Sequence, residues 1–126
     1  MPPKVSILVA IYNVEQTLRR ALDSAVGQTM EEIEILCVDD ASTDGSRAII
    51  EEYAAKDSRV RLIALQENRG TVAVRRAGIR EAQGEYLLFL DADDAYEPCA
   101  AKELYEMIEA KGVDILCFSA QVHTDR

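Results

Sequence analysis

The sequence is short of positive charge, short of cysteine and without any long apolar run, and each shortage removes a class of function. Lys and Arg number 14 against 23 Asp and Glu, a net charge of −9 over 126 residues. Nucleic-acid binding and docking on an anionic membrane both need a basic face, so this balance argues against either. Phosphorylated small ligands stay open, provided a cation accompanies them. The three cysteines, Cys37, Cys99 and Cys117, are odd in number and widely spaced, which reads as free thiols in a reducing cytosol rather than disulfides or metal ligands. The longest apolar stretches, 5–12 and 86–90, fall far below the ~20 residues of a membrane span. Met-Pro-Pro-Lys leads straight into a strand-like run, with no small-residue cleavage site after an apolar core, so no secretory signal is read. Repeats and low-complexity segments are absent. The one histidine, His123, lies near the C-terminus, where a flexible tail is the default, and is left out of any site.

What is there fits a folded domain. Hydrophobic residues make up 48% and charged residues 29%, ordinary values for a globular protein. The length suits one domain or part of one. A chain of this size buries about two-thirds of its unfolded surface.

Short apolar runs alternate with amphipathic stretches. Residues 5–11, 33–38, 60–65, 86–90 and 113–118 read as strands. Helices are expected between them. The first has Asn13 as N-cap and Gln16 at capping-box spacing, with Val14, Leu18, Ala21, Leu22, Ala25 and Val26 as its apolar stripe. The second runs through Ile49, Ile50, Tyr53 and Ala54, with capping oxygens from Ser42, Thr43 and Asp44. The third spans about 72–82, and the fourth spans 100–110 with Gly112 just past its end. This β1-α1-β2-α2-β3-α3-β4-α4-β5 order predicts an α/β, Rossmann-like fold: a mostly parallel sheet with helices on both faces. Every strand-to-helix loop then lies at the carboxyl edge, where such sheets bind ligands near the point at which strand order reverses.

Three of those loops are chemically unusual: Ala10-Ile11-Tyr12-Asn13, Asp39 through Asp44, and Asp91-Ala92-Asp93-Asp94. Five carboxylates, Asp39, Asp40, Asp91, Asp93 and Asp94, would share one edge and repel unless a cation sits among them. Asp91 and Asp93, two apart on extended backbone, face the same way. Their hard oxygens suit Mg²⁺ or Mn²⁺, held together with phosphate oxygens. The plainer reading has Asp91 end the strand while Asp93 and Asp94 cap the next turn. Asp39 and Asp40 read either as turn residues accepting backbone N–H bonds or as acceptors for a base imide or ribose hydroxyl. Tyr12 reads either as core or as a stacking surface for a base. A dinucleotide oxidoreductase is excluded because the first turn holds no glycine, let alone G-x-G-x-x-G. A phospho-acceptor receiver domain would need its acidic pair after the first strand, where Ile11-Tyr12-Asn13 stands, and a phospho-acceptor Asp ending the third strand, where Leu65-Gln66-Glu67 stands.

With these residues in order, the chain resembles family 2 glycosyltransferases of the GT-A fold. The likeness runs through Val5 to Asn13, with Ala10 where that family usually has Pro. It continues through Leu22-Asp23-Ser24, Gln28-Thr29, Glu34 to Ser46, Asn68-Arg69-Gly70, Gly84-Glu85-Tyr86 and Phe89 to Asp94. The resemblance implies a nucleotide-sugar donor, most often a UDP-sugar, and Mn²⁺ or Mg²⁺. It implies that Ala10, Tyr12 and Asp40 line the base pocket, with Asp40 accepting from uracil N3–H. Asp91, Ala92 and Asp93 match the family's D-x-D. Asp93 would be the direct metal ligand, Asp91 would lie nearer the ribose and metal waters, and Asp94 belongs to the same pattern. Arg75 keeps an Arg of the family pattern, read equally as a solvated helix residue or as a contact to the acidic loop or diphosphate. Arg76 replaces an Asn and receives no role.

The resemblance also implies a saccharide or lipid-linked acceptor and work in cell-envelope polysaccharide synthesis. Its place is then the cytoplasm, with peripheral attachment at the inner face of the membrane through parts beyond this chain. Residues 1–126 read as the donor-binding domain of a longer inverting enzyme whose catalytic base lies beyond Arg126. A non-catalytic nucleotide-binding domain is the alternative.

Overall fold

A computed structural model describes residues 3–112. Eight elements alternate: β1 (Val5–Ile11), α1 (Glu15–Val26), β2 (Ile33–Asp39), α2 (Ser46–Lys56), β3 (Val60–Ala64), α3 (Thr71–Glu81), β4 (Tyr86–Asp91) and α4 (Ala100–Lys111). The expected fifth strand at 113–118 lies outside the described residues, as do Cys117 and His123.

The four strands form one parallel sheet in the order β3-β2-β1-β4. β1 is central, and its unbroken apolar run follows from cover on both faces. Val5, Ile7, Val9 and Ile11 join Ile33, Ile35 and Cys37 of β2 in the larger core, against Leu18, Ala21, Leu22 and Ala25 of α1, Ile49 and Ile50 of α2 and Ala101 of α4. Each large aliphatic side chain fully buried there stabilises the fold by roughly 1.5–3 kcal/mol. On the opposite face, Leu8 and Val38 meet Val74 of α3. Gly78 lets α3 come close: a Cβ at this position would sit 2.1 Å from Leu8 Cδ1.

The split of helices between faces follows from topology. The chain steps from β1 to β2 to β3 in one direction, then crosses back to place β4 on the other side of β1. Crossovers of one hand made in opposite directions land on opposite faces. So α3 lies apart from α1 and α2, and strand order reverses between β1 and β4.

The α1 N-terminus differs from its expected form. Val14, not Asn13, is the N-cap, and it makes no side-chain cap bond. Asn13 takes a left-handed conformation, φ 52°, which turns its side chain toward the β2–α2 loop instead of α1. Partners across that gap serve the first turn: Val14 N–H donates to Ser46 Oγ at 3.0 Å and Glu15 N–H to Asp44 Oδ2 at 3.3 Å. Of the three oxygens expected to cap α2, Asp44 does so, accepting from Ser46 N–H at 2.9 Å. Ser42 and Thr43 bond Asn13 instead.

Candidate nucleotide and metal site

Parallel register brings the carboxyl ends of three strands level. Ala10 of β1 stands opposite Val38 of β2 and Asp91 of β4, and Ile11 stands opposite Asp39. The loops after β1 and β4 therefore flank the reversal of strand order. Ala10 is half-buried on the α3 side. Tyr12, just past β1, is 45% exposed, so its ring is surface rather than core and is available for stacking.

Asn13 joins the first loop to the second. Its Oδ1 accepts from Thr43 N–H at 2.8 Å and Asp44 N–H at 3.3 Å, and its own N–H donates to Ser42 Oγ at 3.0 Å. Asn tolerates the left-handed region better than most residues, so one residue supplies both the bend and the bonds. The sequence reading gave Asn13 only a capping role. The signal it passed over was an Asn following a strand and facing a Ser-Thr-Asp turn.

Asp39 and Asp40 are both buried, at 1% and 4% exposure, and the alternation of β2 sends them to opposite faces. Asp39 Oδ1 accepts from Ser42 N–H at 3.2 Å. Asp40 reaches the α3 side, where Oδ1 accepts from Arg69 N–H at 2.8 Å and Oδ2 from Gly70 N–H at 2.9 Å. Gly70 is the α3 N-cap, with φ 89°, a conformation open to glycine at little cost. The turn reading thus accounts for part of what both aspartates do, and Asp40 fixes the loop that starts α3.

The acidic turn behaves otherwise. Asp91 ends β4, Ala92 is buried in the larger core, and Asp93 and Asp94 stand exposed. Asp94 N–H closes the turn on Asp91 O at 3.0 Å. Carboxylate oxygens of Asp91, Asp93 and Asp94 all lie within 4.8 Å of one another. Capping does not explain them: the N-cap of α4 is Cys99, with no side-chain cap bond. No ion pair among the described residues includes any of the three. Partial desolvation and then repulsion from Asp93 and Asp91 raise the Asp94 carboxyl above the usual aspartate value, with Arg20 opposing. Burial, followed by the charges of Asp91 and Asp94, pushes the Tyr96 phenol up to about 12. That phenol stays protonated and donates to Phe89 O. Three exposed hard-oxygen donors, mutually repelling and in no ion pair among the described residues, are a donor set that fits Mg²⁺ or Mn²⁺.

Arg75 stands exposed on α3, as a solvated helix residue would. Its guanidinium lies over the Phe89 ring, 5.3 Å from the centroid, so α3 holds a cation above β4 two residues before Asp91. Arg76 turns elsewhere and lines a hollow of about 300 Å³ with Arg69 and Arg80. The larger cavity, about 770 Å³, runs beside β4 and α4 and contains none of the acidic or base-pocket residues. Cys37 is buried and its thiol is pushed up to about 12 by burial, which makes it an inert core residue as expected.

The model of the family described as "Glycosyl transferase family 2" matches residues 6–126. The chain belongs to glycosyl transferase family 2. It is 40% identical over 114 residues to the cholesterol galactosyltransferase of Borreliella burgdorferi, covering 90% of this chain and 32% of that protein. Among solved structures it resembles S. aureus TarS 1-349 in complex with UDP-GlcNAc, at 32% identity and a TM-score of 0.80, covering 85% of this chain and 31% of that one. It also resembles the mannosyltransferase PcManGT of Pyrobaculum calidifontis in complex with GDP-Man and Mn²⁺, at 26% identity and a TM-score of 0.73, covering 86% and 32%. The family 2 chain spans about a third of the length of the curated relatives it matches. No helix among its described residues is long and apolar enough to cross a membrane.

Proposed function

We propose that this chain is the donor-binding part of an inverting, metal-dependent glycosyltransferase that takes a nucleotide-diphospho-sugar, with UDP as the nucleotide. The carrying observation is the convergence of Asp91, Asp93 and Asp94 within 4.8 Å, beside Tyr12 and at the reversal of strand order. The TarS and PcManGT complexes, one with UDP-GlcNAc and one with GDP-Man and Mn²⁺, support the reading.

Asp93, Asp91 and Asp94 would hold the ion. When bound, Mn²⁺ or Mg²⁺ supplies the positive charge that stabilises a departing diphosphate. Tyr12 offers a ring face to the base, and Ala10 leaves room beneath it. Asp40 holds Arg69 and Gly70 with two of its roughly four acceptor positions, which leaves capacity for a base imide N–H. Arg75, held over Phe89, is the cation placed to meet diphosphate oxygens. The acceptor hydroxyl, of a saccharide or a lipid-linked saccharide, attacks the anomeric carbon from the face opposite the nucleotide while a carboxylate base removes its proton. We assign that base and the acceptor site to sequence beyond Arg126, which the greater length of the relatives supports.

Titration calorimetry with UDP tests the reading. Tight binding in Mn²⁺ and weak binding in EDTA is expected, and equal affinity in both would overturn the metal role. UDP should also bind better than CDP, whose ring N3 is an acceptor and would face Asp40 unfavourably. A lost charge-assisted hydrogen bond costs about 1.5–3 kcal/mol, so Asp40→Asn should erase most of the preference. Absence of any preference in the wild type would remove Asp40 from the base pocket.

A further inference from the structure

We infer that Gln28 is a positioning residue that holds the acidic turn in its metal-ready shape from the far end of the loop. The inference rests on the proposed reading of Asp91, Asp93 and Asp94 as the cation site. Gln28 follows α1 and is 6% exposed, unusual burial for a side chain with two N–H donors and an acceptor oxygen. All three are used. Nε2 donates to Ser24 O of α1 at 2.9 Å and to Glu97 O at 2.8 Å, and Oε1 accepts from Ala101 N–H at 2.9 Å. The neighbouring backbone adds a fourth tie, Thr29 N–H to Pro98 O at 2.7 Å.

These bonds fasten residues 97–101 to the end of α1. That segment closes the loop carrying the acidic turn. The loop's other end is fixed by the pairing of β4 with β1, down to Asp91 opposite Ala10. Between the two anchors stand three carboxylates whose repulsion would splay a free loop. The α4 N-cap, Cys99, makes no side-chain cap bond to the backbone of its helix, so Gln28 Oε1 serves the N–H of Ala101 that a cap would otherwise serve. A metal site held in place before the ion arrives binds it more tightly, and outer-shell partners of metal ligands typically carry about 10–100-fold in affinity.

The alternative is that Gln28 merely fastens α4 to α1. Gln28→Met keeps the volume and removes every hydrogen bond. Ser6→Ala serves as the control: Ser6 also makes buried bonds, to Glu34 and from Gly84 N–H, but at the opposite end of the sheet. Both variants should unfold at lower temperature than the wild type. In Mn²⁺ titrations followed by electron paramagnetic resonance, only Gln28→Met should bind more weakly, by about tenfold. In metal-free protein, only Gln28→Met should speed amide exchange at Asp94, and its affinity for UDP in EDTA should match the wild type. Should Gln28→Met fail to fold, Gln28→Asn keeps the amide on a side chain one methylene shorter, cannot meet Ser24 O, Glu97 O and Ala101 N–H together, and should show an intermediate loss. Wild-type Mn²⁺ affinity together with unchanged Asp94 exchange in the variant, while Asp93→Ala still abolishes Mn²⁺ binding, overturns the inference and spares the metal reading. Mn²⁺ binding by the wild type that ignores Asp93→Ala overturns both.

Discussion

Glu34 at the amino end of the sheet and the turn from Asp91 to Asp94 at its carboxyl end hold carboxylates in opposite ways. At the amino end, Glu34 is nearly buried and fully engaged. It accepts from Ser6 Oγ at 2.6 Å, from Gln83 N–H at 2.6 Å and from Arg61 at 3.1 Å. Arg61 also reaches Glu81, so the network ties the end of α3 to the strands. Gly84 completes it, since a Cβ there would lie 2.7 Å from Ser6 N and Oγ. In the turn at the carboxyl end, Asp91, Asp93 and Asp94 face one another, in no ion pair among the described residues. A buried charge without a partner is costly, so a carboxylate used to hold the fold is surrounded by donors. A group left exposed, repelled by its neighbours and unpaired stabilises nothing by itself, and its placement makes sense toward a ligand.

Exchanging the two sorts of carboxylate for alanine breaks this contrast if it is wrong. Asp93→Ala should lower Mn²⁺-dependent UDP affinity by at least about 100-fold, beyond the usual outer-shell effect, while leaving thermal stability unchanged or slightly higher. Glu34→Ala should do the reverse. Removing one partner of a buried pair and stranding its donors costs about 3 kcal/mol, with Mn²⁺ affinity retained. Calorimetric melts and UDP titrations of both variants give the four numbers needed, and a large stability loss in Asp93→Ala would dissolve the distinction.

A smaller effect sharpens it. Asn13 belongs to the carboxyl end yet is bonded as fully as Glu34. Asn13→Ala should cost roughly 1–2 kcal/mol, from lost bonds and from φ 52° imposed on a residue that avoids it. Asn13→Gly should cost less by the conformational share. Chemical denaturation of the two variants separates the shares, and equal losses would mean that the bend carries no strain.

The smallest effect is in pH. The folded-state pKa of Asp94 is raised, so its contribution to stability is fully present below its unfolded value and is lost as pH rises through the folded one. Metal-free protein should therefore gain stability from this group as pH falls, while Mn²⁺ binding weakens as the proton competes. Resonance titrations near pH 7 and near about pH 5 check the direction.

Much of this was legible in the residue order. The eight described elements appear within a residue or two of their expected positions, because apolar runs of period two or continuous strands and stripes at three- and four-residue steps have few other ways to hide. The acidic turn was legible as a run of carboxylates after the fourth strand, but its capping alternative stayed open in the sequence, because the convergence of the three carboxylates depends on the fold of the loop. Asn13 was misread as a cap: its side chain had two possible destinations at similar reach, and only the β2–α2 loop decides between them. Arg75 lies over the Phe89 ring, a contact that helix periodicity does not name.

By itself the sequence determined the βα alternation, the continuous burial of β1 and β2, the absence among the described residues of any helix fit to cross a membrane, and the gathering of acidic loops at one edge of the sheet. Local pattern suffices for these because burial and turn chemistry act within a few residues. Only the tertiary structure decided that strand order reverses between β1 and β4, that α3 lies on the face opposite α1 and α2, that Asp40 points at Gly70, and that Gln28 reaches Glu97 and Ala101. The Asp40 and Gln28 contacts join residues about 30 to 70 positions apart, and no window of sequence carries such contacts. Packing of the sheet selects them, because a strand's neighbours are fixed by which faces must be covered together.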